Sequence, residues 1–374
     1  LIADYPFATI KPNHGMGYVK IEDLAPEFDK VANPREGFVK DGDGVKGKWR
    51  FVPFDLMDVA GLVEGASEGK GLGNEFLNDL AGADAFIHVV DMSGETNGEG
   101  KPVEGENYYP GKDLGIIEGE LDKWYHGILM KVWKQFSRTV EMQKKKLSEE
   151  VARQFSGLKV VEDDVKDAIR KTGLNAEKPS AWSDEEVMGF ARELRRISKP
   201  MIIAANKMDR PNSKANYEKV KTEFDYPIVP CFAEGELALR EADKHGLIGY
   251  VPGSTEFEVK GELNEKQKAA LDSIKKEIAE FGSTGVQEVL NTIVFDLLHQ
   301  ICVFPAGDKM TDSKGNVLPD CYLMPKGSTA LEFAFRLHSD IGKGFVKAMH
   351  LQSKRAVGKD YVIKHRDGLE IMTK

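Results

Sequence analysis

Short apolar runs alternate along this chain with longer stretches whose apolar positions recur every three or four residues. The runs lie at 48–57, 85–91, 201–205 and 226–231, and each predicts a β-strand. A helix is predicted near 74–80, after a Gly-rich loop. Strands separated by helical stretches predict an α/β fold with a doubly wound, mainly parallel sheet. Such sheets bind ligands outside the carboxyl ends of their strands.

The segment 116–198 has a different texture, because it is highly charged and its apolar residues repeat with a helical period. Ser183 and Glu186 have the spacing of a capping box at a helix start. We therefore predict a helical hairpin inserted between the second and third strands. The run Lys144–Lys146 is interpreted as a solvated helix face, with a nucleic-acid contact as the alternative.

The pattern of apolar and polar residues changes again in the C-terminal part of the chain. A helix is predicted at 286–298, and from about residue 302 short strands and turns follow, with a short helix at 330–341. The last segment, 302–374, has the size of a compact module. We predict a small α+β domain there.

Composition narrows the class of protein. The chain has 374 residues, of which 41% are hydrophobic, an ordinary globular value. No apolar run approaches the roughly 20 residues of a membrane helix, and the start carries no basic signal-peptide region. Three cysteines without a CxxC pair favour a reducing, cytoplasmic setting. The net charge of −9 argues against a general polyanion binder but not against a local basic face.

The strongest chemical signal is an N-K-x-D tetrapeptide directly after the third apolar run, formed by Asn206, Lys207, Met208 and Asp209. The Asp209 carboxylate can accept two parallel hydrogen bonds from the ring N–H and the exocyclic amine of guanine, a donor pair that adenine lacks. The stem of Lys207 can cover one face of the base, and Asn206 can bond its edge. These residues predict a guanine-nucleotide site.

A second motif, D-x-x-G, follows the first apolar run. Asp58 can hold Mg²⁺ through water, and the Gly61 N–H can turn toward a γ-phosphate. Thr9 can place its hydroxyl on the same ion. Leu62 stands where many G proteins have a water-orienting glutamine, so another group must position water or hydrolysis is slow. A generic Gly-rich turn is the plainer interpretation of the motif.

His88, within the second apolar run, is the candidate for that water-positioning group. The alternative is a hydrogen-bonded core histidine, which is the commoner role for a histidine in such a run.

A P-loop of the form G-x-x-x-x-G-K-[ST] does not occur in the sequence, and the nearest imitation, residues 65–71, lacks its final Lys-[Ser/Thr] pair. Since the chain starts at Leu1, we expect it to begin after the first strand, P-loop and first helix, a unit of about 30 residues.

Four segments resemble signatures of the Obg superfamily of GTPases, and most closely the YchF / Obg-like ATPase family in its archaeal form. They are 5–10, which is similar to switch I, 58–73, which is similar to switch II, and the later signatures 282–289 and 325–329. The resemblance covers essentially the whole chain. It implies a P-loop NTPase-type G domain in two parts, 1–115 and 199–301, around the helical insertion, with a TGS domain at 302–374.

The resemblance also implies Mg²⁺-dependent nucleotide hydrolysis and association with ribosomes, by a cytoplasmic monomer without membrane or specific DNA partners. It places a hydrophobic residue at Leu62 and a histidine at His88. Relatives that lose N-K-x-D prefer ATP, so we expect GTP here, with ATP also possible.

Phe232 and Ala233 depart from the family's Thr-Ser-Ala base-contact loop, because Phe232 cannot supply the serine hydroxyl.

A hypothesis of a different class is a ribosome- or RNA-binding adaptor whose nucleotide site is vestigial. The absent P-loop, Leu62 and Phe232 motivate it. Its contact face would be formed by basic residues of the terminal module, namely Lys343, Lys347, Lys354, Arg355 and Lys359.

Overall fold

A computed structural model of the protein describes residues 13–59, 65, 80–97, 101–103 and 107–374. It divides into two compact units. The first contains the described residues of Leu1–Gly15 and Met57–Phe232, and the second contains Met16–Leu56 and Ala233–Lys374. The tetrapeptide Asn206–Asp209 therefore belongs to the first unit.

The secondary structure follows the chain in thirteen strands and eleven α-helices, counted over the described residues. The strands are β1 (Asn13–Glu22), β2 (Phe38–Gly42), β3 (Val45–Asp58), β4 (Phe86–Asp91), β5 (Met201–Asn206), β6 (Ile228–Pro230), β7 (Ile248–Tyr250), β8 (Phe257–Val259), β9 (Gln300–Pro305), β10 (Tyr322–Pro325), β11 (Phe345–His350), β12 (Arg355–Val357) and β13 (Gly368–Thr373). The helices are α1 (Gly111–Met130), α2 (Trp133–Met142), α3 (Leu147–Gln154), α4 (Glu162–Thr172), α5 (Asp184–Ser198), α6 (Ser213–Glu223), α7 (Ala233–Lys244), α8 (Glu265–Phe281), α9 (Val286–Asn291), α10 (Ala330–Leu337) and α11 (Ser339–Lys343). None of the helices in these ranges is long and apolar enough to cross a membrane.

The first unit contains a parallel sheet in the order β4-β5-β6. Its central strand β5 is buried from Met201 to Ala205, as expected for a parallel strand covered on both faces. Because the strands are parallel, Asp91, Asn206 and Pro230 lie at the same edge of the sheet. The predicted parallel sheet is confirmed for these three strands. The helix expected near 74–80 falls, apart from Leu80, outside the described residues.

The strand predicted at 48–57 exists, but its assignment to the parallel sheet is wrong. β3 lies in a separate sheet of order β1-β3-β2 and pairs antiparallel with β2. The two strands are joined by Asp43 and Gly44, whose φ angles of 50° and 76° are both positive. This is the two-residue turn that fits a twisted hairpin, and Asp-Gly is one of its preferred sequences. The turn chemistry therefore outweighs the apolar pattern that suggested a buried parallel strand.

The insertion is more complex than the predicted hairpin at 116–198. It contains five α-helices, α1 to α5, and the first begins earlier, at Gly111. The chain breaks its helical path at Lys144, Lys159 and Gly173, which all have left-handed backbones with φ between 51° and 68°. Of these residue types only glycine favours a left-handed backbone, so the sequence pattern does not predict the two breaks at lysines.

The insertion has an aromatic core of its own. The ring of Trp182 lies 5.4 Å from that of Trp133 and 5.3 Å from that of Phe190, between centroids. The predicted capping box at the start of α5 is confirmed. Ser183 Oγ accepts from the Glu186 N–H, and the Glu186 carboxylate accepts from the Ser183 N–H at 2.7 Å.

The terminal module of the second unit is a five-stranded mixed sheet in the order β10-β9-β13-β11-β12, and α10 packs against it. Its apolar core includes Val303, Phe333 and Leu369, which are all fully buried. The helix predicted at 330–341 is divided in two at His338. The backbone of that residue is extended, and its Nδ1 accepts from the first turn of α11.

Candidate nucleotide site

The base-recognition loop, Asn206–Asp209, leaves the carboxyl end of β5. Met208 is only 1% exposed, and its N–H donates to the Cys231 carbonyl at 3.0 Å. Cys231 in turn donates its N–H to the Ala205 carbonyl at 2.7 Å. The buried side chain and these backbone bonds hold the loop against the end of β6. The polar side chains on either side of Met208 are thereby fixed at the ligand-binding edge of the sheet.

Lys207 connects this loop to the neighbouring strand. Its backbone is left-handed, with φ 62°, and its carbonyl accepts from Ser213 Oγ at 2.7 Å. Its Nζ donates to Asp91 Oδ2, at the end of β4, at 2.8 Å. A non-glycine residue keeps this backbone only where surrounding contacts impose it. The side-chain stem therefore spans two strand ends, a position compatible with its predicted role of covering the base.

Asp91 is a site residue that the sequence interpretation missed. Its Oδ1 accepts from the N–H and the Oγ of Ser93 at 2.9 and 2.6 Å, and its Oδ2 accepts from Thr96 Oγ1 at 3.0 Å as well as from Lys207. Burial raises the pKa of the Asp91 carboxyl, but the hydrogen bonds from Lys207 and Ser93 outweigh it and leave the pKa below its usual value. Asp91 is therefore a carboxylate at neutral pH. The available signal was an acidic residue ending the strand next to the N-K-x-D strand.

Asp209 is the open member of the loop. The side chain of Asp209 is 32% exposed. Its nearest ion-pair partner is Arg210, whose Nε lies 3.7 Å from Asp209 Oδ2. Ion pairs this exposed contribute little free energy. The carboxylate can therefore exchange this contact for two N–H donors of a base, which form stronger charge-assisted bonds.

Phe232 and Ala233 follow β6 along the chain. Phe232 is buried and offers no side-chain hydrogen bond, as the sequence comparison with the family loop implies. Ala233 is exposed and is the first residue of α7, in the second unit. Their predicted contacts with a base stay predictions.

Asp58, the predicted Mg²⁺ residue, is exposed at the carboxyl end of β3. Mg²⁺ in nucleotide sites is held by one or two carboxylates together with water and phosphate oxygens, so a carboxylate at an exposed strand end fits this ion. No cluster of three or more His, Cys, Asp or Glu residues that could hold a metal occurs in the described ranges. Thr9, Gly61 and Leu62 lie outside the described residues, so their roles stay predictions.

His88 lies on β4, opposite Ile203 of β5. Its Nδ1 is buried and has no hydrogen-bond partner among the described residues. Burial lowers the pKa of the imidazole from 6.5 to about 4, so the ring is neutral near pH 7. A core histidine would normally have paired this nitrogen. The unpaired nitrogen does not fit a hydrogen-bonded core histidine, and the water-positioning role of His88 stays a prediction.

We expect the free energy of unfolding to decrease as the pH is lowered from 6.5 to 4 because of His88. In this window the unfolded histidine binds a proton and the folded one does not, so acid favours the unfolded state. The slope should reach at most about 1.4 kcal/mol per pH unit. Urea denaturation across this range measures it. His88→Gln should flatten the profile and His14→Gln, at an exposed histidine, should not. An unchanged profile in His88→Gln would contradict the assignment.

Three family models match successive parts of the chain. Residues 1–108 match a family described as 50S ribosome-binding GTPases, residues 204–308 match the G4 motif-containing domain of YGR210-like Obg-like GTPases, and residues 301–373 match the TGS domain. The third match lies on the terminal module described above.

Relatives and a solved structure extend the similarity over nearly the whole chain. An uncharacterised GTP-binding protein of Methanocaldococcus jannaschii is 44% identical over 100% of this chain and 92% of its own length. Another from Schizosaccharomyces pombe is 34% identical, covering 87% and 81%. The ribosome-binding ATPase YchF of Bacillus subtilis is 26% identical, covering 92% and 80%. The crystal structure of a GTP-binding protein from Pyrococcus horikoshii superposes with a TM-score of 0.76 at 36% identity, covering 99% and 95%. With these matches, and with an N-K-x-D loop held at the edge of a parallel sheet, the chain belongs to the YchF / Obg-like family of the Obg superfamily.

Proposed function

We propose that this protein is an Mg²⁺-dependent GTPase that works in association with the ribosome and can also accept ATP. The observation that carries the proposal is the base-recognition loop. Asp209 is open to a ligand, while Lys207 and Met208 fix the loop through Asp91 and Cys231. An N-K-x-D loop preorganised at this edge suits a guanine base.

The roles of the remaining site residues follow from the chemistry of nucleotide hydrolysis. Mg²⁺, held by Asp58 and Thr9, would neutralise charge on the phosphates. Gly61 would sense the γ-phosphate. Because Leu62 cannot orient water, we assign that task to His88, whose neutral ring has a nitrogen without a partner among the described residues. Asn206 and Asp209 would bind the base edge.

Association with ribosomes is supported by the proteins to which the chain is similar. The family matched by residues 1–108 is described as ribosome-binding, and so are the YchF proteins. The basic residues singled out in the terminal module are all exposed, as such a contact requires; they are Lys343, Lys347, Lys354, Arg355 and Lys359.

Titration of the wild-type protein with GTP, ATP and XTP in the presence of Mg²⁺ tests the proposal. Two charge-assisted hydrogen bonds to guanine should make GTP bind about 100-fold more tightly than ATP. Equal affinities for the three nucleotides would contradict guanine recognition by Asp209. If none of them binds, the adaptor hypothesis replaces the enzyme.

A further inference from the structure

Exposed cations are concentrated on and beside one helix of the insertion, α2. Residues 131–146 contain six Lys or Arg residues and one acidic residue, in a chain whose net charge is −9. Four of them define what we call the α2 stripe: Lys131, Lys134, Arg138 and Lys144. All four side chains are exposed.

The stripe follows from the helix geometry. Lys134 and Arg138 are four residues apart, which places them on the same face of α2. Lys131 lies just before the helix, on the other side of Val132, whose φ of −126° is not helical. The opposite face is buried in the core of the insertion through Trp133 and Val140. Lys144 continues the positive surface just beyond the end of the helix.

The stripe differs from the cationic positions of α3 and α4 because it lacks acidic partners. None of its four side chains makes an ion pair within the described part of the chain. On α3 and α4 the exposed cations are paired. Examples are Arg153 with Glu150, Lys166 with Glu162 and Asp163, Arg170 with Asp167, and Lys171 with Glu193. The charge of the stripe is therefore not neutralised locally.

Helix stability does not account for the stripe. A cation beyond the carboxyl end of a helix interacts favourably with the helix dipole, which explains Lys144. Lys134 occupies the first turn of α2, where the same dipole disfavours a positive charge. An external anion would explain both positions.

We propose that the α2 stripe binds the phosphodiester backbone of ribosomal RNA. This inference rests on the proposed association with ribosomes and names a surface that makes it. Phosphate groups can be bound by cations without any other contact. Several such cations together supply most of the affinity for a nucleic-acid backbone. An acidic protein would call for aromatic or apolar anchors at the centre of the contact, which the stripe lacks. A membrane-surface helix would offer its apolar face to lipid, but that face of α2 is buried, and Met142 is the exposed exception at 84%.

The test replaces the four stripe residues by glutamine in the complete protein. A matched control carries Arg153→Gln, Lys166→Gln, Arg170→Gln and Lys171→Gln, which change the net charge equally. Binding to purified large ribosomal subunits and to protein-free large-subunit RNA is measured over a series of salt concentrations. The stripe variant should bind both at least about tenfold more weakly, and its slope of log affinity against log salt should be shallower by about 3. The control should retain wild-type affinity, and GTP binding should be unchanged in both.

Other outcomes overturn the proposal. Equal losses in the stripe variant and the control would show that net charge, not this surface, matters. Wild-type affinity of the stripe variant for subunits would refute the stripe while leaving ribosome association intact. Failure of the wild-type protein to bind subunits or RNA would refute both. Phosphatidylserine vesicles and poly-glutamate serve as further probes. Stripe-dependent binding to either of them, without stripe-dependent binding to RNA, would assign the surface to that partner instead.

Discussion

Asp209→Asn should convert the protein from a GTP-binding to an XTP-binding protein. Aspartate has two acceptor oxygens for the two N–H donors of guanine, whereas asparagine has one acceptor and one donor. In xanthine the exocyclic amine is replaced by a carbonyl, which accepts from the new amide. We expect affinity for GTP to fall about 100-fold and affinity for XTP to rise by a similar factor, since a mismatched pair leaves polar groups unsatisfied. Competition against a fluorescent nucleotide measures both.

The fold should be untouched by this change. Asp209 is exposed at the surface, and its ion pair with Arg210 is long, at 3.7 Å. Such substitutions alter stability by less than about 0.5 kcal/mol. Asp225→Asn, at another exposed aspartate of the first unit, makes the same charge change and should leave all nucleotide affinities as they are. Parallel losses of GTP and XTP binding in Asp209→Asn would show that the residue supports the loop without contacting the base.

The position of this site was predictable because it depends on local pattern. An uninterrupted apolar run predicted the buried strand β5, and the polar tetrapeptide after it had to lie at the ligand-binding edge of a parallel sheet. The capping box of Ser183 was equally local, since its two partners are three residues apart.

The features of the site and fold that the sequence did not predict depend on contacts between distant segments. Lys207 meets Asp91 only because the register of β4 on β5 sets Asp91 beside Asn206. A single sequence does not contain that register. The sheet of β3 was misjudged for a related reason, because pairing with β2 depends on a two-residue turn rather than on the apolar content of the strand. Lysines with a left-handed backbone, such as Lys159, cannot be recognised from the residue type.

A buried charge cluster offers the clearest link between the insertion and the sheet that carries the site. Arg195, on α5, is fully buried and donates from Nε and Nη2 to Asp122 Oδ1 at 2.9 and 2.7 Å. Its Nη1 donates to the Tyr226 hydroxyl at 3.2 Å, and that hydroxyl donates to Glu118 at 2.6 Å. Tyr226 lies just before β6, the strand whose end holds Met208 through Cys231. The cluster therefore anchors two insertion helices to the edge strand of the sheet.

Arg195→Met should lower the free energy of unfolding by about 3–5 kcal/mol, because it leaves Asp122 as a buried carboxylate without its main partner. Urea denaturation measures the loss. Arg192→Met removes a cation from the same carboxylate, but Arg192 is half exposed and donates a single bond, so about 1 kcal/mol or less is expected. Adding Asp122→Leu to Arg195→Met removes the stranded charge and should recover most of the stability. If Arg195→Met costs no more than Arg192→Met, the cluster does not anchor the insertion. If the double variant is no more stable than Arg195→Met alone, the lost bonds to Tyr226, and not the unpaired Asp122, would determine the loss.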